Sequence, residues 1–307
     1  MQRAVISLGT NTIRLLVIAD DPVAGLIQLE HSAVGTRLGE GLGERGALGA
    51  AAIDRTLAVV AAFAERAREY DAALSCIATS AVRRATNRRA FSDRVATVCG
   101  APLDILDGAR EAACSFRGAT FGRASCADRI GVLDIGGGST ECAVGRYPAI
   151  DASRSVEIGS VRLTERHPGL IGTVGAARAR AAARAARVQA RRELAGIAEL
   201  APVDEVRAVA GTPLTLGAIA YERDVAGVRG EQLTRAQLAA VLDRLLAASL
   251  ERRRAMPGMI PQRADVLAAG AILFDVALEL LGVDRATLES NDLLLGYLAS
   301  GNRPRSD

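Results

Sequence analysis

Two short runs of the chain carry residues suited to gripping an anion: Gly9-Thr10-Asn11-Thr12 and Gly136-Gly137-Gly138-Ser139. At the tip of a tight turn, small residues let several backbone N–H groups come close to a negative group and form a concave nest around it. The hydroxyls of Thr10, Thr12, Ser139 and Thr140 add further donors. Two carboxylates flank the second run, Asp134 before it and Glu141 just after it. Either could hold Mg²⁺, directly or through water. These groups suit phosphoryl transfer, which needs charge neutralisation and a positioned water more than covalent chemistry. Alone, Gly136-Gly137-Gly138 would also fit a plain flexible turn.

The two runs are one pattern used twice. Ile6–Thr12 aligns without a gap on Leu133–Ser139, and the flanking apolar alternation matches as far as Val17 against Val144. The offset is 127 residues, the length of a domain. Each copy reads as strand, tight turn, strand: Ala4–Leu8 with Ile13–Ile18, and Gly131–Ile135 with Thr140–Val144. Two related hairpins, one per domain and facing each other across a cleft, would grip a phosphate from both sides.

The composition narrows the chemistry. All 38 basic residues are Arg, so lysine Schiff bases and P-loop lysines are excluded. Only His31 and His167 are present, which disfavours a His-rich zinc site and leaves acid–base work to carboxylates. A net charge of +3 with 3% aromatic residues argues against a nucleic-acid partner. The five Cys (Cys76, Cys99, Cys114, Cys126, Cys142) form no C-x-x-C pair and read as free thiols in a reducing cytoplasm. There is no signal-peptide pattern and no uncharged apolar run of membrane-spanning length.

Other elements must position these residues. Strands are predicted over Leu26–Val34, Ala73–Thr79, Leu103–Leu106, Ser155–Ile158 and Arg207–Ala210, the last ending at Gly211-Thr212-Pro213. Helices are predicted over Ala50–Tyr70, Asn87–Cys99, Glu111–Gly118 and Val174–Leu200, with a mainly helical remainder and a last helix over Asn291–Ser300. Glu111 opens its helix, where the dipole favours the ionised form. Arg83 and Arg84 fall in a turn after a strand, and a guanidinium there could fork onto phosphate oxygens. Arg180, Arg184, Arg187 and Arg191 share one helix face, which is either a solvated face or a track for a polyanion.

Eight motifs in order carry a family resemblance: ISLGTNTIRL (6–15), RLGEGL (37–42), ATSAVRRATN (78–87), GAREA (108–112), LDIGGGSTE (133–141), GSVRLTE (159–165), GTPLT (211–215) and PGMIPQRADVLAAG (257–270). The chain resembles the exopolyphosphatase / guanosine pentaphosphate phosphohydrolase (Ppx/GppA) family of the actin–Hsp70–sugar kinase superfamily. The resemblance implies an α/β protein of two actin-like (ribonuclease H-like) domains with a phosphate-binding cleft between them. It implies domain I over residues 1–120, with residues 290–307 packing back on it, and domain II over 121–289. It also implies hydrolysis of terminal phosphoanhydride bonds with Mg²⁺, Mn²⁺ being an alternative. By resemblance, Glu111 is the general base, Asp134 and Glu141 join it at the metal and water site, and Arg83 contacts phosphate. Gly9, Thr10, Asn11 and Thr12 form the first phosphate loop; Gly136, Gly137, Gly138 and Ser139 form the second.

One departure stands out: the family has Asp where this chain has Ser7, and the repeat shows the same contrast, Ser7 against Asp134. Loss of that charge predicts weaker metal binding or slower turnover. The leading expectation is an exopolyphosphatase releasing orthophosphate from inorganic polyphosphate. The alternatives are a guanosine pentaphosphate phosphohydrolase and a weakly active polyphosphate or nucleotide sensor; a sugar or acetate kinase is a more distant one. The chain reads as the short, two-domain form of the family, for which a homodimer is expected.

Overall fold

The computed structural model describes residues 1–21, 25–123 and 127–300, so Cys126 and the end of the predicted C-terminal region lie outside the described residues. The chain divides into two compact units, Met1–Glu111 with Tyr297–Asp307, and Ala112–Gly296.

Unit 1 is built on a sheet of β1 (Gln2–Leu8), β2 (Thr12–Asp21), β3 (Gly25–Gly35), β4 (Ala73–Ala78) and β5 (Leu103–Ile105), in the order β3-β2-β1-β4-β5. The helices are α1 (Leu42–Arg45), α2 (Ala50–Glu69), α3 (Ser80–Arg84) and α4 (Arg88–Cys99), and α5 (Gly108–Ala119) begins here and continues into unit 2. On α2, Ile53, Leu57, Val60, Ala64 and Ala67 recur at helical spacing and are buried. They join Ala4, Ile6 and Leu8 of β1 in one core. The predicted turn bearing Arg83 and Arg84 is in fact α3, a single helical turn.

Unit 2 repeats this plan. Its sheet contains β6 (Ile130–Ile135), β7 (Thr140–Arg146), β8 (Ala149–Val156), β9 (Glu205–Val209), β10 (Gln232–Thr234) and β11 (Arg285–Leu288), in the order β10-β11-β9-β6-β7-β8. Read from β8 inward, the first five strands have the order and sense of the first sheet. In both, the hairpin and the strand after it are antiparallel, and the strand beyond the crossover is parallel. The repeat extends to irregularities: the ladder shifts register between Val17 and Ile18 in unit 1 and between Val144 and Gly145 in unit 2, again 127 residues apart.

The helices of unit 2 are α6 (Ser160–Arg166), α7 (Ala176–Glu193), α8 (Gly211–Tyr221), α9 (Arg235–Ala247), α10 (Leu250–Arg254), α11 (Leu267–Leu281) and most of α12 (Leu293–Ala299). Helix α11 is apolar apart from Asp275 and Glu279 and is buried along almost its whole length, as a central core helix must be. Against it α7 presents a stripe of Ala179, Ala183, Ala186 and Ala190. Close packing is also seen where a Cβ on Gly296 would stand 1.8 Å from the carbonyl oxygen of Cys114, so only glycine fits there.

Several predicted elements shift. The strand predicted over Ser155–Ile158 runs over Ala149–Val156, and the long predicted helix stops at Glu193 and passes into 3₁₀ turns at Ala195–Leu200. Gly211 starts α8 rather than closing a strand–turn unit. Strands β10 and β11 fall in a region predicted helical; with three and four residues they are too short to show alternation, and neighbouring strands hold them in place. The arginine stripe divides: Arg187 pairs with Asp275 and Glu279 of α11, and Arg191 pairs with Glu279, while Arg180 and Arg184 are exposed. Among the described residues no helix is long and apolar enough to cross a membrane.

Candidate phosphate-binding and hydrolytic site

The two glycine-cornered turns close with the same hydrogen bond. Gly9 N–H donates to Thr12 O at 3.2 Å, and Gly136 N–H donates to Ser139 O at 3.1 Å. Each turn is then tied back through its carbonyls. In unit 1 the N–H groups of Thr36 and Arg37 donate to Asn11 O at 3.1 and 3.0 Å, and Gly39 N–H donates to Thr10 O at 2.9 Å. In unit 2 the first N–H groups of α6 do the same: Ser160 to Gly136 O at 3.0 Å, and Val161 to Gly137 O at 2.9 Å. A trans peptide points its N–H opposite to its C=O. Tying the carbonyls back therefore turns the amides of Asn11 and Thr12, and of Gly137 and Gly138, the other way, as an anion nest requires.

These straps approach too closely for side chains. A Cβ on Gly39 would stand 2.4 Å from Thr10 Cγ2, and one on Gly159, which caps α6, 2.5 Å from the carbonyl carbon of Gly137. Arg37 adopts φ 54° to make the strap turn. The strap and α6 are the parts that sequence reasoning left without a role, although the RLGEGL and GSVRLTE motifs marked them.

Glu111 lies in the first turn of α5 and is 6% exposed. Asp107 caps that turn, its Oδ1 accepting from Arg110 N–H at 2.8 Å and its carbonyl from Glu111 N–H at 2.9 Å. Arg110 forks onto Asp104 at 2.8 and 2.6 Å, fixing the start of the helix. Arg83 Nη1 donates to Glu111 Oε2 at 3.0 Å and to Leu106 O at 2.8 Å. Two residues predicted separately, a phosphate-contacting arginine and a base, thus touch, and the arginine holds the carboxylate in place.

In unit 2, Asp134 and Glu141 stand directly opposite each other on β6 and β7. Both are buried, at 7% and 1% exposure. Ser115 Oγ donates to Asp134 Oδ2 at 2.6 Å and Ser155 Oγ to Glu141 Oε1 at 2.7 Å. Sequence reasoning missed both serines. Ser115 carried one signal, its place one helical turn beyond Glu111, but nothing in the sequence named Asp134 as its partner; Ser155 carried none, because only the β7–β8 register sets it opposite Glu141. The matching pair in unit 1 is Ser7 opposite Arg14, so the repeat holds two carboxylates in one copy and a hydroxyl and a cation in the other.

Arg83 with Glu111 in unit 1, and Asp134 with Glu141 in unit 2, are therefore the two groupings among the predicted residues. Among the described residues, no three His, Cys, Asp or Glu side chains gather into a metal-binding group. The Asp134–Glu141 pair nevertheless suits Mg²⁺, which is commonly held by one or two carboxylates with water and substrate phosphate completing its shell. The hydroxyls of Ser115 and Ser155 fix one oxygen of each carboxylate.

A family model described as the Ppx/GppA phosphatase family matches residues 16–293. The chain belongs to this family. It is 35% identical to exopolyphosphatase 2 of Mycobacterium tuberculosis over 97% of both chains. It is 32% identical to guanosine-5'-triphosphate,3'-diphosphate pyrophosphatase of Vibrio cholerae, over 53% of this chain and 33% of that protein. Among solved structures, a PPX-GPPA enzyme of Aquifex aeolicus superposes with a TM-score of 0.80 at 26% identity, covering 98% of this chain and 99% of that one. A Ppx/GppA phosphatase of α/β fold with two sheets is what the eight motifs implied.

Proposed function

We propose that this Ppx/GppA phosphatase is an exopolyphosphatase that removes the terminal phosphate of inorganic polyphosphate. Support for polyphosphate as substrate comes from one observation: the similarity to exopolyphosphatase 2 runs along almost the whole of both chains. Each turn offers backbone amides to a phosphate, those of Asn11 and Thr12 in unit 1 and those of Gly137 and Gly138 in unit 2. Glu111, held by Arg83, accepts a proton from water as the water oxygen attacks the terminal phosphorus. The phosphoanhydride P–O bond breaks, orthophosphate leaves, and the shortened chain keeps the bridging oxygen. When bound at Asp134 and Glu141, Mg²⁺ supplies neutralisation of the charge that builds on the phosphate oxygens. A homodimer in the cytoplasm belongs to the same proposal, and sedimentation tests the dimer.

The test is orthophosphate release from polyphosphate of several lengths and from guanosine pentaphosphate, each with Mg²⁺ and Mn²⁺, for the wild type and Glu111→Gln. We expect release from polyphosphate and a loss of about 10²–10⁴-fold in the variant. Preferential release from guanosine pentaphosphate overturns the substrate assignment. No release by the wild type points to a sensor, and unchanged release by Glu111→Gln overturns the role of that residue.

A further inference from the structure

The two cysteines of unit 1, both buried, lie side by side. Cys76 is on β4 and Cys99 is the last residue of α4. The Cys76 thiol donates to Cys99 Sγ at a sulfur–sulfur distance of 3.2 Å, and Cys99 Sγ is also 3.1 Å from the carbonyl of Ala101. A disulfide bond is about 2.05 Å long, so closure needs a movement of roughly 1 Å. The helix ends at Cys99 and leaves through Gly100 in the left-handed conformation, where the chain turns toward β5. Cys99 is 6% exposed and Cys76 is 1% exposed, so Cys99 is the sulfur nearer to solvent.

We propose that Cys76 and Cys99 form an oxidisable dithiol, a modification site that a peroxide-class oxidant converts to a disulfide joining β4 to the C-terminal end of α4. The hydrogen bond from Cys76 lowers the Cys99 thiol below its ordinary value, and Cys99 is also the sulfur nearer to solvent, so Cys99 is the attacking sulfur. The buried thiol of Cys142, by contrast, is pushed up to about 12 by burial. The Cys99 sulfur attacks one peroxide oxygen, the O–O bond breaks, and the departing hydroxide takes a proton to become water. Cys99 is then a sulfenic acid. The Cys76 sulfur loses its proton and attacks the Cys99 sulfur, the S–O bond breaks, and the hydroxyl leaves as a second water. Two thiols are oxidised by two electrons in all, and one peroxide is reduced to two waters. The bridge would close a covalent loop from residue 76 to residue 99 that contains α3 and Arg83, the residue that holds Glu111.

The test treats the folded full-length protein with increasing hydrogen peroxide, blocks the remaining thiols after denaturation, and maps tryptic peptides. Cleavage after arginine isolates Cys76 in peptide 69–83 and Cys99 in peptide 95–110. We expect the two peptides to appear joined and two hydrogens lighter than their sum, and to separate on dithiothreitol treatment. Cys99→Ala should abolish the joined species. Should that variant fail to fold, the wild-type peptide map decides alone. If peroxide leaves both peptides unmodified, oxidises them separately without joining them, or pairs either cysteine with another, the proposal is overturned.

Discussion

Replacing Gly159 by alanine tests the mechanical basis of the Gly136–Ser139 turn, the second of the two proposed phosphate loops. Gly159 has φ −135° and ψ −178°, an extended backbone open to any residue, so alanine brings no backbone strain. The perturbation is steric alone. The new Cβ would stand 2.5 Å from the carbonyl carbon and oxygen of Gly137 and 2.6 Å from the nitrogen of Gly138. Ordinary contact begins near 3.4 Å, so the loop and the start of α6 must part by about 0.9 Å. The carbonyl–amide bonds that tie Gly136 and Gly137 to α6 lengthen or break, and the outward amides lose their aim. A misplacement of about 1 Å costs on the order of 100-fold in rate, or about 2.7 kcal/mol of transition-state stabilisation. Overpacking costs roughly 1–3 kcal/mol of stability. Phosphate release, with unfolding followed in parallel by circular dichroism, should show a loss of kcat/KM in a protein that still folds. Gly175→Ala is the control: its Cβ meets nothing within 4 Å, and activity should be unchanged. A Gly159→Ala enzyme retaining kcat/KM within about threefold refutes the claim that α6 sets the loop.

Three further outcomes follow from the same structure. Burial raises the Asp275 carboxyl, but hydrogen bonds from Arg235 and Arg187 outweigh it and hold the carboxyl below its ordinary 3.8. The unfolded chain therefore binds the proton more readily, so this contribution is complete above the unfolded value and is lost as pH falls through the lower folded one; urea unfolding of Asp275→Asn should fall short of wild type at neutral pH and converge with it in acid. Arg253 is fully buried and donates to the carbonyls of Leu170, Leu245, Ala248 and Ala264, so Arg253→Met, which leaves those acceptors unpaired, should lose about 1–3 kcal/mol of stability by denaturant titration, and unchanged stability contradicts the role. Ser7→Asp puts a carboxylate at the position of the repeat that matches Asp134, and calorimetric titration should show tighter Mg²⁺ binding; no gain in affinity or rate refutes the expectation that Ser7 weakens metal binding.

The twin turns were readable because they are local. A glycine corner between two alternating apolar runs has few conformations open to it, and a 127-residue repeat needs no third dimension to be noticed. Asp134 and Glu141 could be singled out for the same reason, since they neighbour the second turn in the chain. What holds these residues could not be read that way. The strap at Thr36–Gly39 and the start of α6 act through backbone amides, which carry no side-chain signature. Arg83 meets Glu111 across 28 residues, Ser115 meets Asp134 across 19, and Arg187 meets Asp275 across 88. The arginine stripe shows the difference most clearly: its spacing announced a helix face, but only the packing of α7 on α11 gave Arg187 and Arg191 to carboxylates and left Arg180 and Arg184 in solvent. Local sterics and alternation specify turns, strands and helix faces residue by residue. The partner of a buried charge or thiol depends on register and packing between distant segments, and those exist only once the chain has folded.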